Sequence, residues 1–528
     1  MSIPGGPRPA DRPPRTLAEV GARLGCAIPQ LGPGREVLLR EVLLRGVTLS
    51  SRAVRSGDLY AALPGARVHG ASYAAAAVEA GALAVLTDPA GADLLGVLVL
   101  GVPVLVVPAP RAVLGDLAAW FYGDPGRRLS TFAVTGTNGK TTTTFLLDAA
   151  LRGLGRTTGL VGTIEIRVGD ERVVSTGTTP EAPDLHALLA IMVEHGVQAC
   201  SMEISSHALD QHRADGLVVD VAGFTNLSQD HLDYHRTLQE YFLAKAKLFT
   251  PAQAARGVVC VDDAWGARLA GLASVPVTTV RIRPPAGDEA PADWQVLIAR
   301  PAPDGRTEVD LVAPGGPLTV SCPLPGDFNV ANTVLAVAML AAAGIDAADA
   351  ARAVGAAGPV PGRMEPVPGS GAPGEPLVVV DYAHTPDAVA AALRALAGQG
   401  RPLVVVLGAG GDRDHDKRPL MGAAAARAAD VVVVTDDNPR SEAPAEIRAA
   451  VAAGARAEAQ RGGAVVVEIA DRRRAIAEGI ARAAGGVLLV AGKGHEAGQE
   501  VAGVVHPFDD RVVAREELRA VHRKESIP

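Results

Sequence analysis

Several features that define large protein classes are scarce in this chain of 528 residues. It has only four cysteines: Cys26, Cys200, Cys260 and Cys322. None forms a CxxC pair, which excludes the usual structural zinc site and a disulfide framework. Aromatic residues make up 3%, no basic block offsets the net charge of −8, and no apolar run approaches the ~20 residues of a membrane helix. The sequence therefore does not favour a nucleic-acid-binding, membrane-spanning or disulfide-rich protein.

Hydrophobic residues are abundant, at 48%, so about three domains could each bury a core. Residues 1–15 hold five prolines and are predicted to be a disordered lead-in, not a signal peptide. Turn-forming residues at 123–126 and a Pro/Gly-rich stretch at 359–376 mark two boundaries. They predict an N-terminal domain over 16–127, a central domain over 128–358 and a C-terminal domain over 359–528.

Apolar runs alternate with helical patterns, which predicts the α/β class. The central domain is expected to be a parallel sheet like that of phosphate-loop ATPases. Short pieces broken by Pro and Gly between Val277 and Leu324 predict added antiparallel hairpins. The C-terminal domain repeats strand and helix, and its short β-branched runs are typical of a Rossmann-like parallel sheet covered on both faces.

Residues 134–142, VTGTNGKTT, carry the strongest chemical signal. An apolar run precedes them and a helical pattern follows, which is the order of a phosphate-binding strand, turn and helix. Val134 stands where the full consensus has another glycine, so this is the shorter GxxGKT form. We predict that the loop amides face phosphates, that Lys140 reaches the outer phosphates and that Thr141 holds Mg²⁺.

Three further features of the central domain are suited to catalysis. Glu203 closes a predicted strand beside the phosphate loop, where a carboxylate can bind Mg²⁺. The loop 226–235 is dense in metal-capable side chains, of which His231 could join a second metal. Lys245 lies in a predicted helix among aromatic residues. By itself it would be a lysine whose stem packs and whose ammonium reaches water.

The unusual polar residues of the C-terminal domain follow predicted strand ends. They occur in the segments 381–387, 408–418, 436–440 and 492–496. Because ligands bind at the carboxyl ends of strands in open α/β sheets, four such loops predict a binding site at one sheet edge.

Six ordered motifs resemble those of the Mur ligase family, the ATP-dependent amide ligases that build the peptide stem of peptidoglycan. They are residues 135–142, 203–207, 226–235, 326–332, 361–363 and 381–387. The resemblance extends from about Val47 to about Arg511. It implies an N-terminal UDP-binding α/β domain, ATP as substrate, Mg²⁺, and a carbamylated lysine (N6-carboxylysine) at Lys245. A carbamate there would replace a repelled ammonium with an anionic oxygen ligand.

Within the family, the chain is similar to members that add the third amino acid to UDP-N-acetylmuramoyl-L-alanyl-D-glutamate. Residues 49–52 and 57–60 resemble their UDP-binding start. The DNPR segment at 437–440 resembles the form that accepts diaminopimelate, since lysine-adding relatives lack its arginine. Arg440 and Arg413 could bind the distal carboxylate bidentately, and Glu496 could pair with the distal ammonium.

The resemblance assigns roles to residues at matching positions. The catalytic set is Lys140, Glu203, His231 and Lys245, and the metal ligands are Thr141, Glu203, His231 and Lys245. The ATP-binding set is Gly136, Thr137, Asn138, Gly139, Lys140, Thr141, Thr142, Asn329, Asn332, Arg363 and Asp381. The set for the UDP-linked substrate is Leu49, Ser51, Thr178, Thr179, Ser205, Gln211 and Arg213. The diaminopimelate set is Arg413, Asp437, Asn438, Pro439, Arg440, Gly492 and Glu496.

The implied reaction is phosphorylation of the D-glutamate side-chain carboxylate by ATP, followed by attack of the diaminopimelate amine on the acyl phosphate. The protein is expected to act as a cytoplasmic monomer with no nucleic-acid partner. The residues leave LL- and meso-diaminopimelate open. Two departures, Gln229 and Glu181, are not expected to touch the proposed ligands.

Three rival functions stay open at this point. A folylpolyglutamate synthase-like ligase lacks the first domain and the DNPR loop. A nucleotide switch would hydrolyse ATP or GTP without an amino acid acceptor. A degenerate binding module would not need the intact Lys140, Glu203 and Lys245.

Overall fold

The structure is a computed structural model that describes residues 7–10, 13–26, 41–65, 67–96, 101–175, 177–285, 291–302, 306–369, 371–398 and 401–525. Its described strands form three main sheets and two short two-stranded sheets. The predicted α/β class is confirmed, because each main sheet is largely parallel and is flanked by helices.

The N-terminal part is built on a small parallel sheet. The strands of this sheet are β3 (Gly46–Thr48), β4 (Asp58–Ala61), β5 (Ala84–Thr87) and β6 (Val104–Val106), and β1 (Arg15–Thr16) pairs with β2 (Leu43–Leu44) in a separate antiparallel sheet of the N-terminal part. Its helices are α1 (Leu17–Leu24), α2 (Ala74–Glu79), α3 (Pro89–Leu95) and α4 (Pro110–Phe121), with 3-10 turns at Gly70–Tyr73 and Pro125–Arg128. Strands β3 to β6 lie side by side in that order.

The central part holds an eleven-stranded sheet. Its strands are β7 (Ser130–Thr135), β8 (Thr158–Val161), β9 (Glu165–Val168), β10 (Glu171–Val174), β11 (Ala199–Glu203), β12 (Val221–Phe224), β13 (Gly257–Cys260), β14 (Val277–Arg281), β15 (Trp294–Pro301), β16 (Thr307–Ala313) and β17 (Gly316–Cys322). Its helices are α5 (Lys140–Gly153), α6 (Ala182–Glu194), α7 (Ser206–Asp210), α8 (Leu232–His235), α9 (Leu238–Ala246), α10 (Ala264–Leu272), α11 (Asp327–Ala342) and α12 (Ala347–Gly355), with a 3-10 turn at Lys247–Phe249.

The strand order of this sheet places the catalytic motifs next to one another. The order is β10-β9-β8-β11-β7-β12-β13-β14-β15-β16-β17. The seven adjacent strands β8-β11-β7-β12-β13-β14-β15 are parallel and form the core of the sheet. Both faces are covered, because Phe132 and Val134 lie in one core cluster and Ala133 lies in the other. The segments after β7, β11 and β12 therefore emerge side by side at one edge.

The C-terminal part contains a six-stranded sheet in the order β18-β19-β23-β20-β21-β22, parallel except for the edge strand β18. The strands here are β18 (Glu365–Val367), β19 (Leu377–Asp381), β20 (Leu403–Leu407), β21 (Val431–Val434), β22 (Val465–Glu468) and β23 (Val487–Ala491), followed by the hairpin β24 (Gly498–Val501) and β25 (Val504–Pro507). The helices are α13 (Pro386–Leu396), α14 (Lys417–Ala428), α15 (Pro444–Gly462), α16 (Arg472–Arg482) and α17 (Asp510–Glu525).

One sequence expectation needs correction. Hairpins were predicted from Val277 onward, but β14 continues the parallel core and antiparallel pairing begins with β15 and β16. Alternation shows that one strand face is buried and does not reveal the pairing direction. Within the predicted lead-in, the Arg8 guanidinium pairs with Asp58 at 2.8 Å and is mostly buried. The domain boundaries themselves stay a prediction.

No helix in the described part of the chain is both long enough and apolar enough to span a membrane.

Candidate active site

One cavity of about 1500 Å³ lies between the carboxyl edge of the central sheet and that of the C-terminal sheet. It is lined by the phosphate loop, by Glu203 and by the loop after β12. From the other side it is lined by the four polar C-terminal loops that the sequence predicted to meet at one edge. Strands β19, β23, β20 and β21 are neighbours, which is why those loops converge.

The phosphate loop needs glycine at two positions. Gly136 has φ +143°, and a Cβ there would lie 1.9 Å from the Thr225 hydroxyl oxygen. Gly139 has φ +90°, and a Cβ there would lie 2.3 Å from Asn332 Oδ1. The loop is held to the next strand by Asn138 N, which donates to Asn226 Oδ1 at 3.1 Å. The predicted strand, turn and helix are therefore present, with α5 starting at Lys140.

Two lysines lie against this loop without a carboxylate partner among the described residues. Lys140 Nζ donates to the carbonyl oxygens of Gly136 and Thr137 at 3.0 and 2.9 Å. Lys245 Nζ, on α9, donates to the Gly136 carbonyl at 2.7 Å, lies 4.4 Å from the Tyr241 ring centroid and is 1% exposed. Burial lowers the pKa of Lys140, and burial together with the Lys140 charge lowers the pKa of Lys245 well below its usual value.

Glu203 lies at the end of β11 with its carboxylate directed at the phosphate loop. Thr141 Oγ1 donates to Glu203 Oε2 at 2.9 Å, and Thr163 Oγ1 donates to the same oxygen at 3.1 Å. The Thr163 amide donates to Oε1 at 2.8 Å. Within the described ranges, no three His, Cys, Asp or Glu side chains form a metal cluster. The hydroxyl and carboxylate oxygens are nevertheless the donors that Mg²⁺ prefers.

His231 lines the cavity beside a group of aromatic rings. Its ring centroid lies 4.8 Å from that of His207 and 6.1 Å from that of Tyr241. Burial lowers the pKa of His231 to about 3, against the neighbouring charge of Asp230. His231 is therefore neutral at physiological pH, the form in which imidazole binds a metal.

The first residues of the C-terminal part reach back to the phosphate loop. Arg363 Nη2 donates to Thr141 Oγ1 at 3.0 Å, and the Arg363 guanidinium stacks on Tyr382, 4.4 Å from the ring centroid. Asp381 accepts a hydrogen bond from Met364 N at 2.7 Å, and burial raises the pKa of Asp381. Arg363 thus places a guanidinium beside the start of α5.

Asn329 and Asn332 form a buried pair on α11. Asn332 Nδ2 donates to Asn329 Oδ1 at 3.2 Å, and Asn329 Nδ2 donates to the Pro325 carbonyl at 2.8 Å. Both lie at the phosphate-loop turn through Gly139. Their predicted contact with the nucleotide base stays a prediction.

The DNPR loop lies against the loop after β23. Gly492 has φ +118°, and a Cβ there would lie 2.3 Å from Asp437 Oδ2, so the close backbone approach expected at Gly492 is to Asp437. Arg440 Nη1 donates to the Gly411 carbonyl at 2.7 Å, and its Nε lies 3.6 Å from Glu500 Oε2. Arg413 lines the same end of the cavity and is exposed.

The residues expected to bind the UDP-linked substrate divide into two groups. Thr178, Thr179, Ser205 and Arg213 line the cavity. Gln211 lies behind it and accepts from Arg213 Nη2 at 2.7 Å. Leu49 and Ser51 follow β3 in the N-terminal part and do not line it. Pro439, Gly136 and Lys245 also lie just outside the lining.

Glu181, one of the two departures noted in the sequence, contacts a predicted site residue. Its carboxylate pairs with Arg213 at 3.0 Å and with Arg111 of the N-terminal part at 3.1 Å. The sequence showed only that Glu181 follows the Thr-Thr-Pro motif, which gave no indication of its partners. Gln229, the other departure, is exposed.

The lining residues that were not singled out individually include Thr163, Asp230, His384 and Lys417. Asp230 is 6% exposed, and although burial raises its pKa, neighbouring positive charges such as Lys417 and Lys140 hold it down at about 2. His384 and Lys417 belong to the polar segments 381–387 and 408–418, so their position after predicted strands could have indicated them. Thr163 carried no such signal.

Comparison with known sequence families gives three matches along the chain. Residues 43–122 match the profile described as Mur ligase family, catalytic domain. Residues 134–340 match the Mur ligase middle domain, and residues 362–494 match the Mur ligase, glutamate ligase domain.

Individual proteins match over most of the chain. The chain is 49% identical to the Streptomyces avermitilis UDP-N-acetylmuramoyl-L-alanyl-D-glutamate–2,6-diaminopimelate ligase, over 98% of this chain and 99% of that protein. It is 47% identical to the Corynebacterium glutamicum protein of the same name, over 88% and 89%. A solved structure of that name is 32% identical, with a TM-score of 0.65 over 96% of this chain and 99% of the other.

Proposed function

The chain belongs to the Mur ligase family, and we infer that it is the member that joins 2,6-diaminopimelate to UDP-N-acetylmuramoyl-L-alanyl-D-glutamate with ATP. It is an ADP-forming amide ligase of peptidoglycan precursor synthesis. The observation that carries this function is that Lys140, Glu203 and Arg440 line one continuous cavity. The phosphate-binding end and the amino-acid-binding end therefore open into the same space.

The nucleotide end is suited to hold the phosphates of ATP. The amides at the start of α5 and the ammonium of Lys140 supply positive potential, and Arg363 adds a guanidinium beside Thr141. Asp381, Asn329 and Asn332 lie close by to position the nucleoside. Because phosphoryl transfer needs mainly positioning and charge stabilisation, these groups account for the chemistry at this end.

Mg²⁺ fits the oxygen donors that meet beside the phosphate loop. Thr141 Oγ1 and Glu203 Oε2 would hold one ion, and His231 would bind a second. Bound there, the metal supplies charge neutralisation for the phosphates.

We propose that Lys245 is carbamylated. Its buried amine, with a strongly lowered pKa and only a carbonyl partner in the described structure, is the neutral nucleophile that adds to CO₂ with loss of a proton. The product carries an anionic oxygen instead of an ammonium near the metal site.

The acceptor end is suited to a zwitterionic amino acid. Arg440 and Arg413 offer guanidinium groups for the distal carboxylate of diaminopimelate, and Glu496 offers a carboxylate for its distal ammonium. Asp437, Asn438, Pro439 and Gly492 shape the loop that holds them. Lysine has no second carboxylate, so it would leave the two arginines without an anionic ligand.

The reaction follows from this arrangement. The D-glutamate side-chain carboxylate, held near Thr178, Thr179, Ser205 and Arg213, attacks the γ-phosphoryl group of ATP and releases ADP. The diaminopimelate amine then attacks the acyl carbon, an amide forms, and phosphate leaves with one carboxylate oxygen. Leu49 and Ser51 would hold the UDP moiety in the N-terminal part.

We also propose a cytoplasmic location, where ATP is supplied and where the free cysteines Cys200, Cys260 and Cys322 stay reduced.

The direct test is phosphate release from ATP with the UDP-linked dipeptide and, separately, meso-diaminopimelate, LL-diaminopimelate or L-lysine. Turnover that depends on the dipeptide and on one diaminopimelate isomer is expected. Turnover with lysine alone would contradict the role of Arg440. Hydrolysis indifferent to all three amino acids would identify a nucleotide switch instead.

A further inference from the structure

Lys493 is a fully buried lysine in the loop that follows β23. Its side chain is 0% exposed, although the loop itself lines the cavity through Gly492 and Glu496. Its Nζ donates to Asn438 Oδ1 at 3.0 Å, to Glu496 Oε2 at 3.0 Å and to the Gly498 carbonyl at 2.5 Å. An ammonium has three N–H donors, so all three are used. Burying a charge is costly unless it is paired in this way.

The ammonium fixes the orientation of the Asn438 side chain. Asn438 Oδ1 accepts from Lys493 Nζ and from Glu500 N, each at 3.0 Å. An ammonium has no acceptor, so the opposite amide orientation would place Nδ2 against a donor. Asn438 Nδ2 must therefore point the other way, where it donates to Glu496 Oε2 at 2.7 Å.

The same contacts orient the Glu496 carboxylate. Oε2 accepts from both Lys493 and Asn438, whereas Oε1 has no hydrogen-bond partner among the residues that the structure describes. The side chain is 29% exposed and lines the cavity. Lys493 and Asn438 thus fix the position of Oε2, which leaves Oε1 to accept from a ligand at the acceptor end.

Lys493 also links the acceptor loops to the hairpin beyond them. Its contact with the Gly498 carbonyl lies at the start of β24. The same hairpin holds the Arg440 backbone, because Arg440 N donates to the Glu500 carbonyl at 3.0 Å and Ala502 N donates to the Arg440 carbonyl at 2.7 Å. One buried cation therefore joins the DNPR loop, the Glu496 loop and the hairpin.

We propose that Lys493 is a positioning residue of the amino acid acceptor site, acting through Asn438 and Glu496 without touching the substrate. It sets the direction of the Glu496 Oε1 lone pairs toward the acceptor and holds the Asn438 amide against Glu496 Oε2. This role rests on the proposed function of the cavity as a diaminopimelate site. The site requires a group at this position that donates three hydrogen bonds, and a side chain that only fills the space would not be enough.

The test is Lys493→Met, which keeps the length of the side chain and removes the donors. KM for diaminopimelate should rise about 10- to 100-fold, because Asn438 Oδ1 loses one of its two donors and Glu496 loses its cation. KM for ATP and KM for the UDP-linked dipeptide should stay unchanged. A parallel rise in all three constants would overturn the proposal, since a merely structural role predicts that pattern.

Lys493→Gln is the second variant and decides the matter if the methionine variant does not fold. Glutamine keeps two N–H donors, so the rise in KM for diaminopimelate should be smaller than for methionine. Equal effects of both variants would contradict the donor requirement. Arg167→Met is the matched control, because Arg167 is also a buried cation, paired with Asp148 and Glu165 away from the cavity lining. It should lower the melting temperature and leave KM for diaminopimelate unchanged.

A double variant separates this proposal from the function on which it rests. If Lys493 acts through Glu496, the effects of Lys493→Met and Glu496→Gln on KM for diaminopimelate should not add. Additive effects would refute the positioning role while leaving the ligase function intact. Failure of the unmodified enzyme to use any diaminopimelate would refute the proposed function instead.

Discussion

The two ends of the cavity differ in the partners of their positively charged side chains. At the nucleotide end, Lys140 and Lys245 donate to backbone carbonyl oxygens, which carry no net charge. At the acceptor end, Lys493 pairs with Glu496, Arg418 with Glu442 and Arg440 with Glu500. A cation without a carboxylate partner among the described residues, such as Lys140, suits a polyphosphate, which brings the missing negative charge. Cations that are already paired with carboxylates suit a zwitterion. A zwitterion carries charges of both signs, so its binding depends on the orientation of the charged groups more than on the net charge of the site.

The largest effect should come from removing a cation at the nucleotide end. Lys140→Ala should lower kcat at least about 1000-fold, because Lys140 stabilises charge on the transferring phosphoryl group. Steady-state kinetics would measure it, with KM for diaminopimelate as an internal reference. Lys247→Ala is the matched control, since Lys247 pairs with Asp210 and is 45% exposed. A loss below tenfold in Lys140→Ala would refute its assigned role.

The second test concerns Lys245, the other lysine that donates to a backbone carbonyl at this end. Protein equilibrated with ¹³C-labelled bicarbonate should show a carbamate carbon resonance that Lys245→Met abolishes. The same variant should lose about 100-fold or more in kcat, since a neutral thioether cannot replace an anionic ligand. A resonance that persists in Lys245→Met would place the carbamate elsewhere and contradict the proposal.

At the acceptor end the effect should be on binding. Arg440→Ala should raise KM for diaminopimelate about 10- to 100-fold, because it removes a charge-assisted contact with the distal carboxylate. KM for ATP should not change. If both constants rose together, the division of the cavity into two ends would be wrong. Arg440→Lys should recover little, since an ammonium cannot bind a carboxylate bidentately.

The remaining effect should be on stability and not on activity, at the junction of the two ends. Burial, reinforced by the charge of Lys417, lowers the pKa of His384 to about 4 in the folded protein. The unfolded chain takes up this proton near pH 6.5, so stability from this group is present above that pH and is lost as the pH falls toward 4. The loss amounts to about 3 kcal/mol.

Urea titrations between pH 7 and pH 4 would measure this loss. His384→Asn should flatten the pH dependence of the free energy of unfolding over that interval. An unchanged slope in the variant would show that other groups, such as His495 with a pKa lowered to about 3 by burial, carry the acid sensitivity.

The sequence predicted what is local. The phosphate loop, the strand ends at Glu203 and Asp381 and the polar loops after β20, β21 and β23 follow from short-range patterns, and the structure places them at one cavity. What it did not predict depends on long-range packing. Glu181 contacts Arg111 and Arg213 from distant segments, and nothing in their spacing indicates it.

The buried cations of the acceptor end show the same limit. Lys493 stands between two glycines and would ordinarily be exposed. Arg472 pairs with Asp510, 38 residues away, with both side chains fully buried. Its Nη atoms also donate to the Asp436 and Ala491 carbonyls, just before the two acceptor loops. The sequence showed that Lys493 and Arg472 lie close to loops that follow strand ends. It did not show that their side chains are buried.

The central claim is that both ends act on one carboxylate held between them. It is tested most directly with dipeptide substrate carrying ¹⁸O in the D-glutamate side-chain carboxylate. During turnover with diaminopimelate, the released phosphate should carry one ¹⁸O atom, because the acyl phosphate transfers a carboxylate oxygen to phosphate when the amine attacks. Phosphate without the label would show that ATP is cleaved by water and would contradict the account.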